Sequence, residues 1–168
     1  LEEEVNQLKQ KHLLFTQQHF EVYICKPGKI PNLLREIGRL REITFRDVGE
    51  GTNKKIDLDT YDDYYHQLFV WDNHAKKVVG GYRMGKGGKV LFKYGTKGFY
   101  INSLFKFKGE FASLLLQSIE LGRSFVVKEY QQHRLPLFLL WKGILHFLLS
   151  NPEYKYLIGP VSISNYYD

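Results

Sequence analysis

Residues Ser118 to Tyr130 read Ser-Ile-Glu-Leu-Gly-Arg-Ser-Phe-Val-Val-Lys-Glu-Tyr. Apolar and polar positions alternate along this stretch, which is the period of a β-strand. It sets a carboxylate, Glu120, and a guanidinium, Arg123, within one strand, where each charge is costly unless it has a partner or a chemical task. After Gln131-Gln132-His133-Arg134 comes the apolar run Leu135 to Leu149, which carries Lys142 and His146 and stops at Asn151-Pro152. That run predicts a helix to about Ser150, too short to span a bilayer. Tyr154 to Ile163 follows as a last strand, broken by Gly159-Pro160.

Working back toward the N-terminus, Lys108 to Leu116 reads as one or two helical turns. Lys89 to Phe107 is aromatic and basic, with a short helix expected near Val90 to Tyr94, a glycine turn, and an extended piece from Phe99 to Phe105. His66 to Asp72 and Lys77 to Met84 form two strand-like runs around Asn73-His74-Ala75-Lys76, the pattern of a hairpin. Gly80-Gly81 inside the second run predicts a bulge or a close backbone approach. Pro31 opens a helix to about Arg46, with Leu33, Leu34, Ile37, Leu40, Arg41, Thr44 and Phe45 at helical spacing. Its arginines are expected to be mostly solvated, with Glu36 and Glu42 as local partners. Phe20 to Cys25 alternates like a strand and ends at Lys26-Pro27-Gly28. Leu1 to Gln10 suits a short amphipathic helix or a linker.

The 168 residues, 43% hydrophobic and 15% aromatic, suffice for one domain with a sizeable core. Residues 1–18 are read as linker or N-terminal helix and 19–168 as the domain. The chain starts at Leu1 with no leader pattern, so a piece of a longer polypeptide is expected. One cysteine, Cys25, excludes an internal disulfide framework and suits a reducing compartment. Net charge is +6, and the excess sits in one segment: Arg83, Lys86, Lys89, Lys93, Lys97, Lys106 and Lys108, with no acid between them. Such a field suits an acidic carrier protein, anionic lipid or a phosphate backbone, or is a solvated basic loop.

From Asp47 to Asp63 the apolar period is lost. Asp57, Asp59, Asp62 and Asp63 crowd within seven residues, as an acidic surface loop or as carboxylates for a cationic or amine-bearing substrate. The spacing is not that of an EF-hand. Gly80, Gly85 and Lys86 imitate a phosphate-binding loop, but Gly87 stands where a magnesium-binding Ser or Thr is required. The six histidines show no ligand spacing for a metal. None has Asp five positions later, and Ser124 lacks the glycines of a nucleophile elbow. Glu120 on a strand before a helix N-terminus remains. Direct acyl transfer to an amine needs such a base, and donors for the developing oxyanion, but no enzyme nucleophile.

An ordered set of motifs runs through residues 35–166: Arg41-Glu-Ile-Thr-Phe45, Asp57-Leu-Asp59 with Tyr61-Asp62, His66-Gln-Leu68, Val78-Val-Gly80 with Tyr82-Arg83, Glu120-Leu-Gly-Arg-Ser124, Leu140-Trp-Lys-Gly143 and Gly159-Pro-Val-Ser-Ile-Ser164. This set resembles the Gcn5-related N-acyltransferase (GNAT) superfamily. Within it the set is similar to the haemolysin-like branch of ornithine and glycine lipid N-acyltransferases, and distantly to the acyl-homoserine-lactone synthases. The match is closest to the region found in some bacteria beside a lysophospholipid-acyltransferase-like domain. The resemblance implies an α/β fold, a mixed twisted sheet flanked by helices. It implies transfer of a fatty acyl chain, often 3-hydroxylated, from acyl-carrier protein to an amino acid amine in amino-lipid synthesis.

Carried over by position, Glu120 is the candidate general base, or else a structural partner of Arg123 or Arg41. Arg41, Phe45, Asp57, Asp59 and Asp62 fall on the acceptor side and Arg83, Arg123, Ser124 and Val126 on the donor side, with Arg83 and Arg123 equally open to structural ion pairing or to contact with donor or acceptor. Tyr130 to Arg134 has no glycine where coenzyme A-using members carry a pyrophosphate loop, so an acyl-phosphopantetheine arm on carrier protein is expected in place of acyl-CoA, with no tightly bound cofactor. The location implied is the cytoplasm, at the inner face of the membrane. A second reading is a non-catalytic module docking carrier protein or anionic membrane. Aromatics between lysines also allow base stacking, the weakest reading, and nucleic acid is not expected as a partner.

Overall fold

The computed structural model describes residues 1–161. Among them six strands form one sheet in chain order: β1 (Leu13–Gln17), β2 (Phe20–Cys25), β3 (His66–Asp72), β4 (Lys77–Lys86), β5 (Ser118–Val126) and β6 (Tyr156–Ile158). Neighbours from β1 to β5 are antiparallel, and β5 and β6 are parallel. The helices are α1 (Glu2–Leu8), α2 (Pro31–Asp47), α3 (Gly87–Tyr94), α4 (Ala112–Leu116) and α5 (Arg134–Leu149). This is the mixed sheet flanked by helices that the motifs implied.

Alternation along the strands sends side chains to two cores. Val22, Leu68, Val70, Val79 and Ile119 meet Leu139, Leu140, Ile144 and Phe147 of α5. On the other face Tyr23, Phe69, Trp71 and Phe125 meet Val5 and Leu8 of α1 and Leu33 and Ile37 of α2. Each such side chain contributes about 1.5–3 kcal/mol on leaving water. A third cluster, Tyr65, Val90, Phe99 and Leu115, lies under α3 and α4. Pro31 starts α2 where no amide donor is needed. The next free amides of α2, Asn32 N and Leu33 N, donate to the Glu4 carboxylate at 2.9 and 2.7 Å, an acid at the positive end of a helix dipole. That contact ties α1 into the body.

Three sequence expectations change. The edge strand β1 was not anticipated, and with it in place β2 is buried on all six residues instead of showing one wet face. Phe99 to Phe105 is not extended: Tyr100–Ser103 coils into a 3-10 turn whose first amides point at Glu120. The last strand spans only Tyr156–Ile158, and Ser162 and Ile163 lie outside the described residues. The expected bulge and close approach are both present at the glycine pair. Val79 is an extra residue in the β3–β4 register, and a Cβ on Gly80 would stand 2.5 Å from the Phe125 carbonyl oxygen.

Candidate active site

β6 pairs with β5 only along Ser118, Ile119 and Glu120. At Gly159 the chain still passes so close that a Cβ would lie 2.4 Å from the Leu121 oxygen. Beyond that the two paths part, leaving the far edge of β5 without a strand partner among the described residues. The parting opens a cleft of about 750 Å³ whose floor is Leu121, Gly122, Arg123 and Ser124. Phe45, Tyr100 and Leu104 stand on one wall, and Tyr82 and Trp141 on the opposite one. An unpaired strand edge inside an apolar-walled cleft can accept an extended, amide-bearing ligand as an added strand.

The β4–β5 register explains how an arginine comes to lie there. Gly81 pairs with Phe125 and Arg83 with Gly122, so Tyr82 faces two residues, Arg123 and Ser124. This β-bulge puts Arg123 at φ +50°, a left-handed conformation costing a non-glycine residue about 1–2 kcal/mol. Strict alternation would send Arg123 toward α5 with Ile119 and Leu121. The extra residue turns it to the face that carries Glu120, where its guanidinium lies 5.2 Å from the Tyr100 ring centre and 5.9 Å from that of Phe45.

Behind Arg123 is a buried ion network. Arg41 donates to Asp62 at 2.8 Å and to Gln67 at 2.6 Å, and Gln67 donates to Asp62 at 3.0 Å. Arg83 donates to Asp62 at 3.0 Å and to Asp59 at 2.5 Å. Arg123 is paired with Asp57 at 3.1 Å and lies 3.9 Å from Asp59. Arg41, Arg83, Asp57 and Asp62 are buried, with Arg41 and Arg83 0% and 1% exposed, while Arg123 and Asp59 at the edge of the network stay partly in water. Burial would raise the Asp62 carboxyl, but Arg41 and Arg83 outweigh it and hold Asp62 below the usual carboxylate range. At Asp57 burial prevails over Arg123 and raises it. Arg83 is ringed by Tyr61, Tyr65 and Tyr100 at 5.4, 5.6 and 5.5 Å from their centres. Its Nε and Nη2 have no hydrogen-bond acceptor among the described residues.

Glu120 is 0% exposed. Its carboxyl meets the Tyr65 hydroxyl and accepts from Tyr100 N at 3.0 Å and Ile101 N at 2.6 Å. Burial raises its pKa, with Tyr65 and the two amides pulling the other way. Tyr65 also lies 3.1 Å from the Gly98 carbonyl oxygen, so its hydroxyl proton faces a carbonyl and a carboxyl oxygen together.

Of the residues singled out in the sequence, Phe45, Arg123 and Ser124 reach the cleft. Arg41, Asp57, Asp59, Asp62 and Arg83 gather in the network behind it. Glu120 lies beneath the Tyr100–Ile101 turn, and Val126 packs into the core under α5. The expectation that most α2 arginines are solvated holds for Arg39 and Arg46, whose partners are Glu36 and Glu42, but not for Arg41. Tyr65, Gln67, Tyr82, Tyr100 and Trp141 were missed as site residues. Gln67, Tyr82 and Trp141 stood inside quoted motifs without a role assigned to them, and Tyr65 and Tyr100 showed only as aromatics before a strand and in a turn. Among the described residues no group of three or more His, Cys, Asp or Glu side chains is placed to hold a metal ion. Nor is any helix among them long and apolar enough to cross a membrane.

Comparison with known proteins bears on the fold and the family. The acetyltransferase (GNAT) domain model matches residues 40–141. A glycine N(alpha)-acyltransferase of Phocaeicola vulgatus is 39% identical over 165 residues, 91% of this chain and 51% of that protein. One of Bacteroides thetaiotaomicron is 40% identical over 154 residues, 85% and 46% of the two. The chain thus spans about half the length of the curated relatives it matches. Among solved structures, the AHL synthase LasI superposes with TM-score 0.59 at 18% identity, over 85% of this chain and 72% of that one. An aminoglycoside acetyltransferase from an uncultured soil metagenomic sample gives 0.53 at 13% identity, over 88% and 83%. At those identities the likeness is one of fold. The domain model running from α2 to α5, with two relatives about 40% identical, settles the family: the chain belongs to the acetyltransferase (GNAT) domain family.

Proposed function

We propose that this domain, as part of its full-length protein, transfers a fatty acyl group, including 3-hydroxyacyl, from acyl-carrier protein to the amine of an amino acid. We place it in the haemolysin-like branch, in amino-lipid synthesis. The observation that carries the reading is the parting of β5 from β6 over an arginine. A phosphopantetheine arm has two amides, and the free edge of β5 from Leu121 offers backbone partners for them. The thioester would then lie over Gly122 to Ser124, where backbone amides can favour the developing oxyanion. The glycine-free Tyr130 to Arg134 turn suits a phosphopantetheine arm more than a free pyrophosphate.

The acceptor's carboxylate fits Arg123, the guanidinium of the network that borders the cleft, with Phe45 and Tyr100 as flat walls for a small side chain. Its amine then points along β5 toward the thioester. Glu120 has a supporting part in this reading. A base has to touch the proton it takes, and Glu120 would do so only with the Tyr100–Ile101 turn displaced. As placed, it fixes that turn and so the wall of the acceptor site, while the amine's proton passes by way of water in the open cleft to the departing phosphopantetheine thiolate. The names of the two relatives support glycine as an acceptor to try first.

The test is incubation of the full-length protein with 3-hydroxyacyl carrier protein and a panel of amino acids, read by mass spectrometry. N-acyl amino acid is expected, and in Arg123→Gln the acceptor KM should rise about tenfold with the donor KM little changed. No N-acyl product from the wild type with any acceptor refutes the reading.

A further inference from the structure

The excursion from Gly87 to Gln117 carries a surface that the cleft chemistry does not use. Phe92 is 95% exposed, and Leu104, Phe105, Phe111 and Leu116 are each about half exposed or more. Five lysines in the same excursion, at 89, 93, 97, 106 and 108, are all exposed, against the single acid Glu110. On α3 the two sets lie together. Lys89, Phe92 and Lys93 fall at helical spacing on the open side of α3, opposite the buried Val90. Gly88, one turn before Phe92, packs so that its Cβ would lie 3.3 Å from the Leu116 carbonyl oxygen, which brings the exposed Leu116 of α4 beside α3.

We infer that this α3–α4 face is a docking surface for an anionic lipid bilayer. Short helical turns bearing protruding aromatics between lysines meet both demands of such an interface: apolar tips enter the acyl region while ammonium groups stay at the phosphates. A soluble acidic protein would satisfy the lysines but leave a fully exposed Phe92 needing a matching hole. A bilayer takes in a protruding ring without one. Charge also separates this face from the other apolar surface, the outer side of α5. There Phe138, Leu145 and Leu149 are exposed, but Arg134 is the only cation on the helix that is exposed, Lys142 and His146 being half-buried.

The experiment uses the full-length protein and vesicles of phosphatidylcholine, with and without phosphatidylglycerol. Co-sedimentation is expected with the anionic vesicles and should weaken steeply with salt. Phe92→Ser with Phe105→Ser should lower the partition coefficient about tenfold or more, and each of Lys93→Gln and Lys97→Gln about fivefold. Leu145→Glu on α5 should leave it unchanged, and circular dichroism checks that every variant is folded. As a second measurement, Phe92→Trp should be quenched by brominated lipid beyond the wild-type tryptophans. The inference is overturned by absence of binding to anionic vesicles, by binding that survives the double Phe variant, or by an unquenched Trp. It is equally overturned if these lysines retain only acyl-carrier protein. None of these readouts needs acyl transfer, so the proposed activity can fail while the docking stands, or the reverse.

Discussion

Replacing Glu120 by Gln tests what the buried carboxyl does, because the side chains have the same shape. The Oε2 side faces Tyr65 and Tyr100 N, and the Oε1 side faces Ile101 N. A glutamine can place its oxygen on one side only. If the oxygen faces Tyr100 N, the amide nitrogen is thrust at Ile101 N; if it is reversed, at Tyr100 N. Either way one buried backbone N–H loses its acceptor, which costs about 1–3 kcal/mol. For a domain of this size that is a fall in Tm of roughly 2–12 °C. Urea unfolding followed by circular dichroism gives the stability change, and amide exchange at Tyr100 and Ile101 reports the turn itself. Both amides should exchange faster in the variant. If stability changes by less than about 0.5 kcal/mol and exchange is unaltered, these bonds do not hold the turn and the argument fails. Activity of the full-length variant adds a second discrimination. Loss of a general base lowers kcat by about 10²–10⁴ and removes the corresponding limb of the pH profile. Loss of a positioning residue raises the acceptor KM and leaves the profile's shape intact.

The remaining expectations use the network, one histidine and one glycine. Asp62→Asn removes the anion shared by Arg41 and Arg83 and should destabilise the fold by about 3–5 kcal/mol; a loss under about 1 kcal/mol in urea unfolding would mean that the pairs are not energetically linked. His66 is pushed down from 6.5 to about 4, first by burial and then by Lys86 and Lys26. Its folded pKa lies below the unfolded one, so its contribution is complete above about pH 6.5 and is lost as pH falls through about 4, at most about 3 kcal/mol. His66→Gln should therefore flatten the difference in urea midpoint between those pH values, and an unchanged slope refutes the assignment. Gly159→Ala sets a Cβ against the Leu121 carbonyl, a backbone atom that cannot swing away. A loss of about 1–3 kcal/mol and faster amide exchange in β6 should follow, whereas unchanged exchange there would deny the close approach.

Elements whose period is undisturbed were legible. The hairpin of β3 and β4, the helix from Pro31 and the apolar helix ending before Asn151-Pro152 lie where pattern and turn chemistry put them. Errors arose where a tertiary partner overrode local preference. Phe99 to Phe105 has strand-like aromatics, yet two amides at its start turn to a carboxylate distant in sequence. Arg41 sits on a helix rich in solvated arginines, and nothing local distinguishes it; its acceptors, Asp62 and Gln67, arrive only when the sheet forms. The acidic run from Asp57 to Asp63 was legible as unusual but not as internally neutralised, because the three arginines that meet it come from α2, β4 and β5. The cleft itself was invisible: it is made by two strands separating, and separation leaves no periodic signal.

The bulge at Arg123 joins these observations. A regular β5 would keep Glu120 on the α2 face and send Arg123 into the apolar core under α5, where an unpaired guanidinium is untenable. One extra residue, at a backbone cost of about 1–2 kcal/mol, instead aligns Arg123 with Asp57 and Asp59 at the floor of the cleft. The same irregularity leaves Ser124 in the cleft and returns Phe125 to the α2 core. Of these two aspartates, Asp59 is itself held by Arg83 of β4, and its amide donates to Asp62, which Arg41 of α2 holds. A charge that must meet a ligand without moving is most useful when its counter-ions cannot move either, since little reorganisation is then left for the moment of binding. The expensive pair in the strand is therefore one arrangement with two roles: Arg123 borders the cleft, and Glu120 fastens the turn that covers its side.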